Sequence, residues 1–153
     1  MHYNRKKSVV SGWIIISIAA LSFLFHAYST GITGKTLKNG NGCECHSPTP
    51  FPEVSVVISG PDTLLPGEQA VYTITMTGGE LIRGGTNIAA SNGILAPIST
   101  DLRFEADELT HVEPKIPVGG AVTFQFNYTA PAIAGTETLY ANGNSVKIGR
   151  AHV

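Results

Sequence analysis

Alternation of apolar and polar positions is clearest at Val122–Tyr128, where Val122, Phe124, Phe126 and Tyr128 fall on one side and Thr123, Gln125 and Asn127 on the other. A period of two marks a half-buried strand, because successive side chains leave opposite faces of a sheet. Its large apolar face, mostly aromatic, places this strand at the centre of the core. The same period runs through Gln69–Thr77, where Tyr72, Ile74 and Met76 oppose Val71, Thr73, Thr75 and Thr77. In Val54–Ser59 it groups Val54, Val56 and Ile58. The grouped positions of all three strands are expected to share one core. Thr86–Ala90 and Ile94–Ile98 read as two more strands around a Ser91-Asn92-Gly93 turn, with Gly78-Gly79 and Gly84-Gly85 bracketing a short excursion before them. Leu102–Phe104 and Glu108–Val112 are weaker strands, Pro114 and Pro117 hold the following stretch to loop or edge, and Thr136–Ala141 returns after Gly135. Short strands at this spacing, with no amphipathic helix between them, predict an all-β fold: an immunoglobulin-like antiparallel β-sandwich.

The N-terminus has a different pattern. Arg5-Lys6-Lys7 precede an apolar run from Val9 to Phe25, broken only by Ser11, Gly12, Ser17 and Ser22. A basic flank before an apolar helix is an export signal, so residues 1–29 are a signal peptide or an N-terminal anchor. The run is longer than the usual signal core, which keeps the anchor open, while the small residues Ala27 and Ser29 favour a cut after Ser29. The expected location is extracellular or at the cell surface, or periplasmic or membrane-anchored if the signal is retained. Membrane contact runs through this segment before any cleavage. Residues 30–52 read as a flexible linker, Gly- and Asn-rich at first and proline-stiffened at its end, and the sandwich follows over 53–147.

Length and charge narrow the function classes. The 153 residues suffice for one ordinary domain and a targeting segment. Between residues 30 and 147, six Lys and Arg stand against eleven Asp and Glu, a balance near −5. An acidic domain without a basic stripe excludes nucleic-acid binding and leaves a surface or extracellular partner as the class.

Candidate chemistry concentrates in the linker at Gly42-Cys43-Glu44-Cys45-His46, which holds both cysteines of the chain. Covalent haem attachment needs two thiols and an adjacent histidine. Thiols two residues apart would point about 200° from each other on a helical turn, which argues against ordinary attachment. In an exported protein the pair also fits a small, strained disulfide or inert thiols. A third reading is metal binding through Cys43, Cys45 and His46, with an outside ligand such as His111. Cofactor-binding (haem) and metal roles for Cys43, Cys45 and His46 thus stand beside a site with no cofactor. His111 reads as a strand-edge surface histidine. Asp101, Glu105, Asp107 and Glu108 form an acidic run, either a Ca²⁺ site or a solvated loop. No partnered nucleophile is apparent, so no catalytic residue is assigned and the chain does not read as an enzyme.

Several stretches together carry a family resemblance: TGKT (33–36), LKNGNG before Cys43, VSVVISGP (54–61), PGEQAVYTITMTGG (66–79), GTNIAAS (85–91), ELTH (108–111), VTFQFNYTAP (122–131) and GTETLYANGN (135–144). Through them the chain, from about Gly34 to Ser145, resembles the choice-of-anchor V domain proteins of bacterial surfaces, which look distantly like the Reeler domain. The resemblance implies an exported immunoglobulin-like sandwich, normally followed by a separable C-terminal anchoring region, and no established catalytic activity. Many members resemble c-type cytochromes locally, with Cys-x-x-Cys-His where this chain has Cys43–His46, one residue shorter. The resemblance ends after Asn144-Ser145-Val146. Residues 148–153 (Ile-Gly-Arg-Ala-His-Val) coincide with the translation of a common sequencing-adapter stretch and are expected to be a non-native tail, leaving the sandwich short of a closing strand.

Overall fold

A computed structural model describes residues 30–42, 49 and 51–146. The expected signal helix at 1–29 and the tail at 148–153 lie outside the described residues. Every regular element among them is a strand: β1 (Val54–Ser59), β2 (Gln69–Gly78), β3 (Arg83–Ala90), β4 (Ile94–Pro97), β5 (Leu102–Glu105), β6 (Glu108–His111), β7 (Ala121–Thr129) and β8 (Leu139–Val146). They form two antiparallel four-stranded sheets, ordered β1-β2-β7-β4 (sheet A) and β5-β6-β3-β8 (sheet B). The two sheets share one core, which makes the fold a β-sandwich.

Sheet A is the alternating part of the sequence. Its register sets Ile74 opposite Phe124, Tyr72 opposite Phe126 and Met76 opposite Val122, so the apolar faces of β2 and β7 merge. Val54, Val56 and Ile58 of β1 pack against the same cluster at the sheet edge. The expected grouping of these residues into one core is therefore observed. Tyr72 and Tyr128 lie at its margin, where their hydroxyls donate to the carbonyls of Pro61 (2.7 Å) and Asn92 (3.1 Å).

Sheet B closes the core with Ile88 and Ala90 of β3, Leu102 of β5 and Leu109 of β6. It is built from smaller residues, and this lets the sheets approach. A Cβ at Gly143 of β8 would lie 2.6 Å from Met76 Cε and 2.7 Å from Val56 Cγ2, closer than packed atoms come.

Three expectations are corrected. Thr86–Ala90 and Ile94–Ile98 do not form a hairpin: β3 belongs to sheet B and β4 to sheet A, so Ser91-Asn92-Gly93 carries the chain from one sheet to the other. Gly84 and Gly85 do not bracket an excursion but lie within β3, paired with Ser145 and Asn144. The third concerns residues 30–42, which do not run as a linker free of the domain. They form a strap along the outer face of sheet B, because that face offers buried polar groups to a segment rich in exposed backbone. The weaker strands β5 and β6 do form. They make a two-residue hairpin in which Ala106 and Asp107 take φ of 50° and 64°, the left-handed pair that a type I′ turn requires.

Candidate functional site

Cys43, Cys45 and His46, the residues assigned to haem or metal, lie outside the described residues. The nearest described stretches are 30–42 before them and 51 onward after them.

On the N-terminal side the strap crosses sheet B from β6 to β8. At β6, Gly31 N–H donates to His111 O (2.9 Å), while Arg103 donates from Nη2 to Gly31 O (2.7 Å) and from Nη1 to His111 O (3.0 Å). A planar fork with several donors suits this bridging, which one ammonium could not span. The third donor of Arg103, Nε, binds Glu105 Oε2 at 2.8 Å. The Thr110 hydroxyl lies 3.4 Å from both Ile32 O and Thr86 O.

Glu108 is the centre of the cradle. It is only 5% exposed, and its two oxygens accept Gly34 N–H (2.7 Å) and the Thr36 hydroxyl (3.3 Å). A buried carboxylate is costly unless hydrogen-bonded, so the strap and this acid depend on each other. Asn87 of β3 then accepts Lys35 N–H (3.3 Å) while its amide donates to Leu109 O (3.1 Å). At β8, Asn142 Nδ2 donates to Lys35 O. Beyond it the strap closes on itself, with Leu37 N–H on Asn41 O (2.9 Å) and Gly40 N–H on Leu37 O (3.0 Å). On the C-terminal side of the motif, Val54 N–H donates to Phe51 O (3.1 Å) as the chain enters β1. β1 and β8 are edge strands that touch each other. The described chain that follows the segment therefore enters the sandwich at the edge where β1 meets β8.

His111 is at a strand end, as expected, but it is not a surface histidine. Its ring takes the place of the next backbone rung between β6 and β3, with Nδ1 3.1 Å from Thr86 N and 3.0 Å from Thr86 O. Either neutral tautomer thus finds a partner. Two glycines make room for it. A Cβ at Gly85 would lie 2.4 Å from His111 Cε1, and one at Gly31 2.7 Å from Nδ1. Phe124 closes the inner side, its ring centroid 6.4 Å away. Burial pushes the imidazole pKa below its ordinary 6.5, and the Arg103 charge pushes the same way, against the Thr86 hydrogen bond.

The folded protein therefore keeps this ring neutral where the unfolded chain would protonate it. Its contribution to stability is complete above pH 6.5 and erodes as pH falls below that value. Between pH 7 and 5 the melting temperature should fall more steeply in the native protein than in His111→Gln. Equal slopes would show that His111 does not carry the effect.

The acidic run does not converge on a cation site. Asp101 binds Lys115 Nζ (2.7 Å) and the Ser99 hydroxyl, Glu105 binds Arg103, and Glu108 turns under the strap. Among the described residues no group of three or more His, Cys, Asp or Glu is placed to hold a metal. The cysteine cluster was the signal that sequence offered; the polar cradle of Asn87, Glu108, Thr110 and Asn142 was missed. Its one trace in the sequence is ELTH, where polar residues alternate with Leu109 in a strand whose outer face would ordinarily be solvated. Compared with protein-family models, curated proteins and solved structures, the chain has no match.

Proposed function

We propose that this chain is an exported, cell-surface-associated β-sandwich module, of immunoglobulin-like type, with a structural or binding role and no catalysis. The signal helix and membership of the choice-of-anchor V family belong to the same proposal. The observation that carries it is the strap, which anchors the flank of the Cys-Glu-Cys-His segment to sheet B. Structure is invested there in fixing residues 30–42 to the domain, which suits a display or attachment module. An export-type N-terminus and an acidic sandwich support the location.

The rival reading is an extracytoplasmic redox protein carrying haem or a metal on Cys43, Cys45 and His46. A visible spectrum of protein produced alongside a haem-attachment system separates the two. We expect no Soret band that survives denaturation. We also expect Cys43→Ala/Cys45→Ala to unfold as cooperatively as the native chain, because these residues precede β1 and close no long loop. A denaturation-resistant Soret band that the double substitution abolishes would establish the rival instead.

A further inference from the structure

The two outer faces of the sandwich differ in kind. The outer face of sheet B carries Arg103, Glu105 and Glu108 and is crossed by the strap. Among the described residues nothing crosses the outer face of sheet A, and none of its outward positions on β1, β2, β7 or β4 is Asp, Glu, Lys, Arg or aromatic. β2 presents Thr73, Thr75 and Thr77, in register with Gln125, Thr123 and Ala121 of β7. Among these hydroxyl and amide groups stand three exposed β-branched side chains: Val57 (52%), Val71 (50%) and Ile94 (66%).

We propose that this face is a self-association surface, which takes the sheet A of a second copy of this chain. The argument is first one of charge. Residues 30–147 carry a balance near −5, so copies repel one another over most of their surface. Sheet A is a face on which two copies can meet with no charge at any outward strand position; the cation that borders it, Lys115 on Thr123 O (2.7 Å), is already paired with Asp101. A charged partner finds no complement there, and a sugar ring finds no aromatic side chain to stack on.

The second argument concerns the polar groups. Some already have partners on neighbouring strands: Gln69 Nε2 donates to Thr129 Oγ1 (3.2 Å), Gln125 Nε2 to Thr73 Oγ1 (3.4 Å) and Ser59 Oγ to Thr73 O (3.4 Å). Removing water from this face therefore leaves fewer orphaned donors than an ordinary solvated sheet would. The third is shape. Sheets of one hand of twist stack face to face at about −30°, and a copy has that same twist by identity.

Size sets the strength. Four strands about 4.8 Å apart, of 6, 10, 9 and 4 residues, give a face of about 19 by 25 Å. Two such faces bury at most about 950 Å² in total, at the weak and transient end of interface sizes, so the dimer forms only at high protein concentration.

The test is sedimentation equilibrium of the protein in the form released by export, from about 10 µM to 1 mM, the range in which weak association is read. The native chain should rise reversibly from monomer mass towards twice that value. Thr75→Lys/Thr123→Lys and Thr75→Glu/Thr123→Glu should each stay monomeric, and an equimolar mixture of the two should regain association. The mixture guards against misfolding, since unfolded variants would not regain a defined dimer. A native chain that stays monomeric throughout would overturn the proposal and leave the face to another occupant. A dimer that persists unchanged in both variants would overturn it too, by locating the contact elsewhere, such as the edge of β8.

Discussion

Replacing Phe124 with alanine is expected to cost about 3–5 kcal/mol, a large share of the roughly 5–15 kcal/mol that holds a domain folded. Phe124 is fully buried at the middle of β7, opposite Ile74 in the register. Its ring also serves the strap side of the molecule, because Lys115 Nζ lies 4.8 Å from its centroid and His111 packs against it. Truncation therefore leaves a cavity between the sheets and removes the inner wall of the His111 pocket. Thr123→Ala, one residue away on the exposed face, should change stability by no more than about 0.5 kcal/mol. Denaturant titration of both variants measures the contrast. Equal losses would mean that β7 does not direct these faces as described.

The second large effect is local. Glu108→Ala should release the strap while the sandwich stays folded. The carboxylate accepts two hydrogen bonds from residues 34 and 36, and bonds to a charged group are worth about 1.5–3 kcal/mol each. Part of that sum is offset because the substitution also removes a buried charge. A net change of about 1.4–2.8 kcal/mol raises the open population about ten- to a hundredfold. Lys35 and Lys38 lie in the strap, so trypsin reads that population directly. Cleavage after these lysines should accelerate by that factor, with the cooperative unfolding of the core retained. An unchanged cleavage rate would show that Glu108 does not hold the strap.

The sandwich was legible wherever one face of a strand meets water. β1, β2 and β7 alternate because their outer faces are open, and the periodicity named their core residues directly. β3 was only partly legible because it is buried on both faces, Ile88 towards the core and Asn87 under the strap. Its Gly-Gly-Thr-Asn-Ile-Ala-Ala reads as a loop running into a short strand, since small residues serve both sides without alternating. The strap was opaque for a related reason. Its attachment uses mainly backbone N–H and C=O groups, which every residue carries, so composition alone suggests a linker. The β3–β4 connection misled because a turn signal reports a reversal of direction and not whether both arms stay in one sheet. The Cys-x-Cys-His cluster, by contrast, was conspicuous in sequence and lies outside the described residues.

The strap also imposes an order in time. It is drawn from the beginning of the domain, yet its partners come much later, Glu108 lying 74 residues beyond Gly34 and Asn142 lying 107 beyond Lys35. A chain that emerges N-terminus first presents residues 30–42 long before β8 exists to receive them, and contacts of such long sequence separation form late in folding. Residues 30–42 are thus among the first of the domain to be made and among the last to be secured. Completion of β8, the last of the described strands, is the event that lets the first residues of the domain be fixed in place.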